Sequence, residues 1–352
     1  MKILHLIPSF GSGGAERQLS IIAPALAESG IECHIGYCYE GQNLERISKS
    51  SVITHRIFLH NNHDPRLLFN IIRLIRTIKP DLVQTWMLQM DVMGGLAALL
   101  TQTPFILSER SSASCYPDGW KFFLRKQLGQ RASAIVANSQ GGLDYWRSLK
   151  VSTPLYLIRN AIISVPPSAG LPNNSTHQER LILFAGRLSP EKNVMLLLSA
   201  LTEVVRNDSS VVVKLFGEGP LESQLEAKIR AQNLSERIFL EGYTDNLSHW
   251  LNQADVCVSI SDYEGNPNVV LEAAVQGCPL VLSDIPAHRE IFDESSVQFV
   301  QHDSLLNIIN GILQTLNNPL LSKQKALKAR EILNKYEPEK ILEQYINLYN
   351  KI

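Results

Sequence analysis

No apolar run in this sequence is long enough to cross a bilayer as a helix, and there is no internal repeat or low-complexity tract. The five cysteines (Cys33, Cys38, Cys115, Cys257, Cys278) are odd in number and scattered, without a Cys-x-x-Cys pair. That argues against structural zinc and for a reducing compartment, so a cytoplasmic location is expected. Met1-Lys2 followed by Ile3 to Ile7 offers too short an apolar run and no small-residue cleavage site for a secretory leader, and reads as a first strand. No Gly-x-Gly-x-x-Gly follows that strand, and the second candidate strand shows no clear acid for a ribose, which lowers a dinucleotide reading. What remains is 352 residues, 45% hydrophobic and 19% charged, enough for two ordinary domains.

The formal net charge of -1 hides a split: residues 1–165 are net basic and the rest net acidic. Within the basic half, Arg110, Lys121, Arg125, Lys126, Arg131, Arg147, Lys150 and Arg159 face only Asp118 and Asp144, with Trp120, Phe122 and Phe123 interleaved. Two readings stand. One is a patch for an anionic membrane surface or a pyrophosphate-bearing acceptor, and the other a pair of solvated helix faces.

Short apolar strands alternate with amphipathic segments from end to end, the pattern of parallel sheets wrapped by helices. Strands are expected at 3–7, 31–38, 82–84, 105–107, 134–137 and 155–158, then at 181–185, 211–216, 238–240, 256–260 and 280–282. Between the two series, the Pro-, Ser- and Asn-rich stretch around residues 166–180 reads as a linker. Residues 305–352 read as helical, with a break near Pro338. The expected fold class is α/β, two Rossmann-like doubly wound parallel-sheet domains facing across a cleft, with ligands at the C-terminal ends of the strands.

Four elements follow predicted strands at that place. Gly11-Ser12-Gly13-Gly14-Ala15-Glu16-Arg17 lets backbone N–H groups approach an anion, or is simply a flexible turn. Gly186-Arg187-Leu188-Ser189-Pro190-Glu191-Lys192-Asn193 presents two cations, Arg187 and Lys192, that could hold a diphosphate; a Lys in a first helical turn opposes the helix dipole and needs a reason to be there. Gly217-Glu218-Gly219-Pro220 reads as a structural turn, and Tyr243, after Glu241-Gly242, could flank a nucleobase.

The fourth element carries the most information: Glu264-Gly265-Asn266-Pro267-Asn268-Val269-Val270-Leu271-Glu272, with Gly277-Cys278-Pro279 beyond it. Asn266 reads as an N-cap and Pro267 as the first helical residue, so the N–H groups at Asn268, Val269 and Val270 would face a ligand. A helix start flanked by carboxylates suits a ligand anionic in its middle and rich in hydroxyls at both ends, as a nucleotide sugar is. Glu272 sits among apolar residues, where a carboxylate needs a partner.

These four motifs together resemble the retaining glycosyltransferases of family four, which have the GT-B fold, over nearly the whole length. The resemblance implies an acceptor-binding domain at 1–165, a linker at 166–180, a donor-binding domain at 181–337, and a C-terminal helix at 338–352 crossing back to the first domain. It implies that Arg187 and Lys192 neutralise the donor diphosphate, Glu264 binds the donor sugar and Glu272 the ribose. Gly13, Gly14, Asn268, Val269 and Val270 add phosphate contacts. No cofactor or metal is implied, since the cations serve the diphosphate and no Asp-x-Asp follows a strand. The implied partners are a nucleotide-sugar donor, UDP-linked in expectation, and a saccharide or polyprenyl-linked acceptor, with peripheral contact at the inner membrane face and no nucleic acid.

Two positions depart from the family pattern. Many members carry a histidine after the fourth or fifth N-terminal strand, where this chain has Arg110, with Thr85-Trp86-Met87 upstream. Arg110 cannot act as a general base, so its role is electrostatic or positional. Ala161 follows Asn160 where Gly is common. Set against the transferase are a sugar-nucleotide epimerase of the same fold, an NAD-dependent oxidoreductase and a donor-binding regulatory subunit.

Overall fold

The computed structural model describes residues 1–11, 13–59, 64–110, 119–162 and 179–352. Within them the chain divides into two compact units, Met1–Ala161 with Tyr336–Ile352, and Ile162–Lys335. Most of the expected linker lies outside the described residues. The second segment of the first unit opens at Tyr336, two residues before the final helix.

The first unit runs β1 (Lys2–Ser9), α1 (Gly14–Glu28), β2 (Glu32–Tyr39), α2 (Leu44–Ser48), β3 (Ile53–Arg56), α3 (Arg66–Ile78) and β4 (Leu82–Trp86). It continues with α4 (Met87–Leu100), β5 (Phe105–Glu109), α5 (Trp120–Gly129), β6 (Ala134–Ala137), α6 (Gln140–Ser148) and β7 (Leu155–Leu157). Every strand pairing is parallel, in the order β3-β2-β1-β4-β5-β6-β7. Strands covered on both faces cannot alternate polar and apolar residues, which is why Ile3, Leu4, Leu6 and Ile7 are all fully buried. The edge strand β3 was not expected, because its mostly exposed Ile-Thr-His-Arg carries no apolar run.

The second unit runs β8 (Arg180–Ala185), a 3-10 turn (Pro190–Lys192), α7 (Val194–Asn207), β9 (Val211–Phe216), α8 (Glu222–Ala231), β10 (Ile238–Gly242) and α9 (Leu247–Gln253). Then come β11 (Val256–Ser259), α10 (Asn268–Val275), β12 (Leu280–Ser283), α11 (Pro286–Arg289), β13 (Gln298–Val300), α12 (Leu305–Asn317) and α13 (Pro319–Ile332). Its parallel order is β10-β9-β8-β11-β12-β13, the first sheet's pattern less one strand; β13, three residues long at the edge, was likewise not expected. A last helix, α14 (Pro338–Tyr349), belongs to the first unit and packs on α1, burying Ile341, Tyr345, Leu348 and Tyr349.

In both sheets the strand order reverses beside the first strand, between β1 and β4 and between β8 and β11. Loops leaving the C-terminal ends of such a pair diverge to opposite faces and leave a crevice, the usual ligand position in this architecture.

Candidate active site

In the second unit, β8 and β11 are neighbours in register, Val256 beside Ile182 and Cys257 beside Leu183. The loop after β8 carries Arg187 and Lys192, and the loop after β11 carries Ser261 and Glu264, so the topology brings together residues 72 apart. Lys192 Nζ lies 2.5 Å from Glu264 Oε1, and Ser261 Oγ donates to the same oxygen at 2.7 Å. Asp262 N–H donates to Glu191 O, lacing the two loops through the backbone. Burial works against ionisation of Glu264, but the Lys192 charge and hydrogen bond, with His288 and Ser261, leave its carboxyl below the usual range.

Lys192 closes the 3-10 turn Pro190–Lys192 and does not sit in the first turn of α7; Asn193, left-handed at φ 54°, separates the two. The dipole conflict foreseen from sequence therefore does not arise. Arg187 is exposed at the end of β8, and its side chain makes no ion pair with a described residue.

The helix start at Pro267 is shifted by one residue from expectation. Pro267, with φ -79° and ψ 90°, is the cap and Asn268 the first helical residue; extended backbone at Pro267 keeps it out of the turn, and Asn266 is buried just before it. The first intrahelical bond runs from Leu271 N–H to Pro267 O, so the N–H groups of Asn268, Val269 and Val270 precede the helix's own hydrogen-bond ladder. Glu272 is half-buried one turn further in, close enough to Cys257 to help raise its thiol, which burial already pushes up to about 12.

Three glycines floor this side of the sheet. Gly186 and Gly217 directly follow β8 and β9, and Gly242 ends β10, with φ of 155°, 124° and 66°. Gly186 N–H donates to Phe216 O, and Gly217 N–H to Gly242 O. A Cβ on Gly217 would stand 1.9 Å from Gly186 O, so the close approach itself demands glycine there. Tyr243 follows this layer, half-buried, its hydroxyl donating to Asp245 at 3.1 Å.

His288 was not singled out from sequence. It is fully buried on α11, with Nδ1 2.8 Å from Ser283 O and 3.2 Å from Ser283 Oγ, while Ser283 Oγ donates to Ser261 O. Burial holds its pKa below the ordinary value, against the pull of Glu264. The only available signal was a Pro-x-His four residues beyond a predicted strand, too common a pattern to select.

Gly13 and Gly14 lie in the first unit, apart in the sequence from the residues above. Gly13 caps α1 and Arg17 N–H makes the first intrahelical bond to Gly13 O. The carboxylate of Glu16, held by Ser9 Oγ at 3.1 Å, folds back so closely that a Cβ on Gly13 would stand 2.3 Å from it. The glycine turn is thus packed against its own acid, which complements the helix dipole.

The basic segment is less uniform than its sequence suggests. Arg125 is 2% exposed, bound to Asp91 and Glu109 at 2.8 Å each, and Trp146 Nε1 donates to Glu109 at 3.0 Å. Arg147 pairs with Asp144. On α5, Trp120 and Phe123 are exposed, with Lys121 over the Trp120 ring. Arg110 is half-buried beyond β5, bound by Asn160 and Tyr345. Ala161 is held through both backbone groups by the Gln18 amide, at 2.9 and 2.8 Å.

Two family models match this chain. Glycosyltransferase Family 4 covers residues 12–163 and Glycosyl transferases group 1 covers residues 172–336, so between them they take in all of the second sheet and all of the first but β1. The chain is a glycosyltransferase. Its fold is GT-B: the structure of Anabaena HepE in complex with UDP and glucose superposes with a TM-score of 0.88, covering 100% of both chains at 19% identity. Among curated relatives, the transferase is 24% identical over 100% of its length, and 99% of the relative's, to a Campylobacter jejuni enzyme. That enzyme is the GalNAc-alpha-(1->4)-GalNAc-alpha-(1->3)-diNAcBac-PP-undecaprenol alpha-1,4-N-acetyl-D-galactosaminyltransferase. The Poly(ribitol-phosphate) alpha-N-acetylglucosaminyltransferase of Staphylococcus aureus is 32% identical over 175 residues, which are 49% of this chain but only 36% of that larger enzyme. The epimerase and oxidoreductase alternatives give way to a transferase.

Proposed function

We propose that this glycosyltransferase moves a hexose or N-acetylhexosamine from a UDP-sugar to a lipid-linked or oligosaccharide acceptor in surface-polysaccharide assembly, with retention and without a metal. The observation that carries the reading is the Lys192–Glu264 pair beside the start of α10. In it a cation stands beside a hydroxyl acceptor, four residues before α10 begins, a set that a nucleotide sugar would use. Arg187 and Lys192 would bind the diphosphate and stabilise the charge that grows on it as it leaves, taking the part a metal has elsewhere. Glu264 would accept from sugar hydroxyls and Glu272 from the ribose. The N–H groups of Asn268, Val269 and Val270, and of Gly13 and Gly14, would meet phosphate oxygens, and Tyr243 would lie along the base.

Retention follows if the leaving phosphate oxygen takes the acceptor's proton on the same face of the sugar. The relatives' names support the acceptor class, one being a transferase to a PP-undecaprenol-linked glycan. Among the described residues no helix is long and apolar enough to cross a membrane. The exposed Trp120 and Phe123 beside Lys121 support peripheral contact of α5 with an anionic inner leaflet.

The deciding experiment measures UDP release and product anomer by NMR over a panel of UDP-sugars, with and without polyprenyl-pyrophosphate glycans and with EDTA. Inversion, EDTA-sensitive turnover, or turnover untouched by Glu264→Ala would each overturn the corresponding part of the reading.

A further inference from the structure

Arg110, the residue that departs from the family's histidine, is held on three sides by groups without charge. Nη1 donates to Asn160 Oδ1 at 3.1 Å, Nη2 donates to the Tyr345 hydroxyl at 2.6 Å, and the guanidinium carbon stands 4.1 Å over the Trp86 ring. Trp86 is fully buried, and its indole N–H donates to His5 Nδ1 at 3.4 Å. Burial lowers the His5 pKa to about 3, so that ring is neutral and adds no charge. The neighbouring Glu109 points elsewhere, onto Arg125 and Trp146. Among the described residues no carboxylate pairs with Arg110.

A half-buried cation with no carboxylate partner among the described residues is costly, and three neutral partners orient it without cancelling its charge. A planar guanidinium so fixed is complementary to a phosphate oxygen pair. We propose, building on the transferase reading, that Arg110 binds phosphate oxygens of a pyrophosphate during transfer and that Tyr345, on the C-terminal helix, is its positioning residue. Two sources share that chemistry, the departing donor diphosphate and the pyrophosphate of a lipid-linked acceptor.

The test uses the full chain. Inorganic pyrophosphate and, separately, UDP are titrated by calorimetry into wild type, Arg110→Ala, Arg110→Lys and Tyr345→Phe, each checked for an unchanged thermal midpoint. Loss of one charge-assisted contact predicts that Arg110→Ala weakens binding about tenfold or more. A loss for UDP assigns the contact to the donor, and a loss for pyrophosphate alone assigns it to the acceptor. Unchanged affinity for both in a folded Arg110→Ala protein overturns the proposal.

In turnover, Tyr345→Phe is expected to lower kcat with donor KM unchanged, and the double variant with Arg110→Lys to be no slower than Arg110→Lys alone. Losses that multiply independently would remove the positioning role. A wild-type protein that binds these ligands through Arg110 but transfers no sugar from any nucleotide would instead defeat the transferase reading.

Discussion

Lys192 Nζ and Glu264 Oε1 are 2.5 Å apart, and this contact joins the loop after β8 to the loop after β11 at the point where the strand order reverses. The Glu264 side chain is only 11% exposed, so the lysine compensates a carboxylate that would otherwise be costly to ionise there. One pair therefore serves both the architecture and the proposed donor site.

Separating these roles needs isosteric variants. Glu264→Gln keeps the shape and is expected to cut kcat/KM by about 10²–10³ if the carboxylate binds the reacting sugar. Because Glu264 titrates lower when folded than its ordinary 4.5, its contribution to stability is present above that pH and is lost as the pH falls through the folded value. Thermal melts from pH 3 to 7 should show a shallower acid limb in Glu264→Gln, and a limb matching wild type would contradict the pairing.

The buried Asp91 behaves oppositely. Burial, only partly offset by Arg125 and Thr85, raises its pKa from 3.8 to about 6. The folded protein holds that proton more tightly than the unfolded chain, so the contribution is full below about pH 4 and declines as the pH rises through 6, by on the order of 2–3 kcal/mol. Asp91→Asn should flatten this limb of a urea-denaturation series; an unaltered slope would show that Asp91 does not carry it.

Glycine substitutions should rank by geometry. Gly217→Ala places a Cβ 1.9 Å from Gly186 O, whereas the same change at Gly242, with φ 66°, meets nothing within 4 Å. Expected losses are about 1 kcal/mol at Gly242 and roughly 3 kcal/mol or more at Gly217, read from denaturant midpoints. Equal losses would refute the close-approach explanation.

The C-terminal helix is expected to be part of the first unit's stability. The Tyr349 hydroxyl donates to the buried Gln84 Oε1 at 2.5 Å, joining residues 265 apart. Tyr349→Phe leaves that oxygen without this donor and should cost about 1–3 kcal/mol, while Gln84→Leu combined with Tyr349→Phe should recover part of it. Simple additivity of the two losses would argue against the bond.

Strand and helix sites on the buried faces were legible because a parallel strand covered on both sides is mostly apolar, as residues 3–7 are apart from His5 and Val211–Phe216 apart from Lys214. Edge strands β3 and β13 carry little such signal. The four strand-end motifs stood out in the sequence because glycines, paired cations and paired carboxylates after strands are what an anionic, hydroxyl-rich ligand requires, and of these the structure brings Lys192 and Glu264 into contact.

By itself, then, the sequence determined the α/β class and the two series of strands apart from β3 and β13, and it singled out Arg187, Lys192, Glu264 and Glu272 as candidates. Tertiary structure alone decided which charges meet. Lys192 takes Glu264, Arg125 disappears from the basic surface between Asp91 and Glu109, and Arg110 is gripped by a tyrosine 235 residues away. Periodicity reports which face of an element is buried, while partner choice depends on strand order and on the return of the C-terminal helix, neither of which leaves a local pattern.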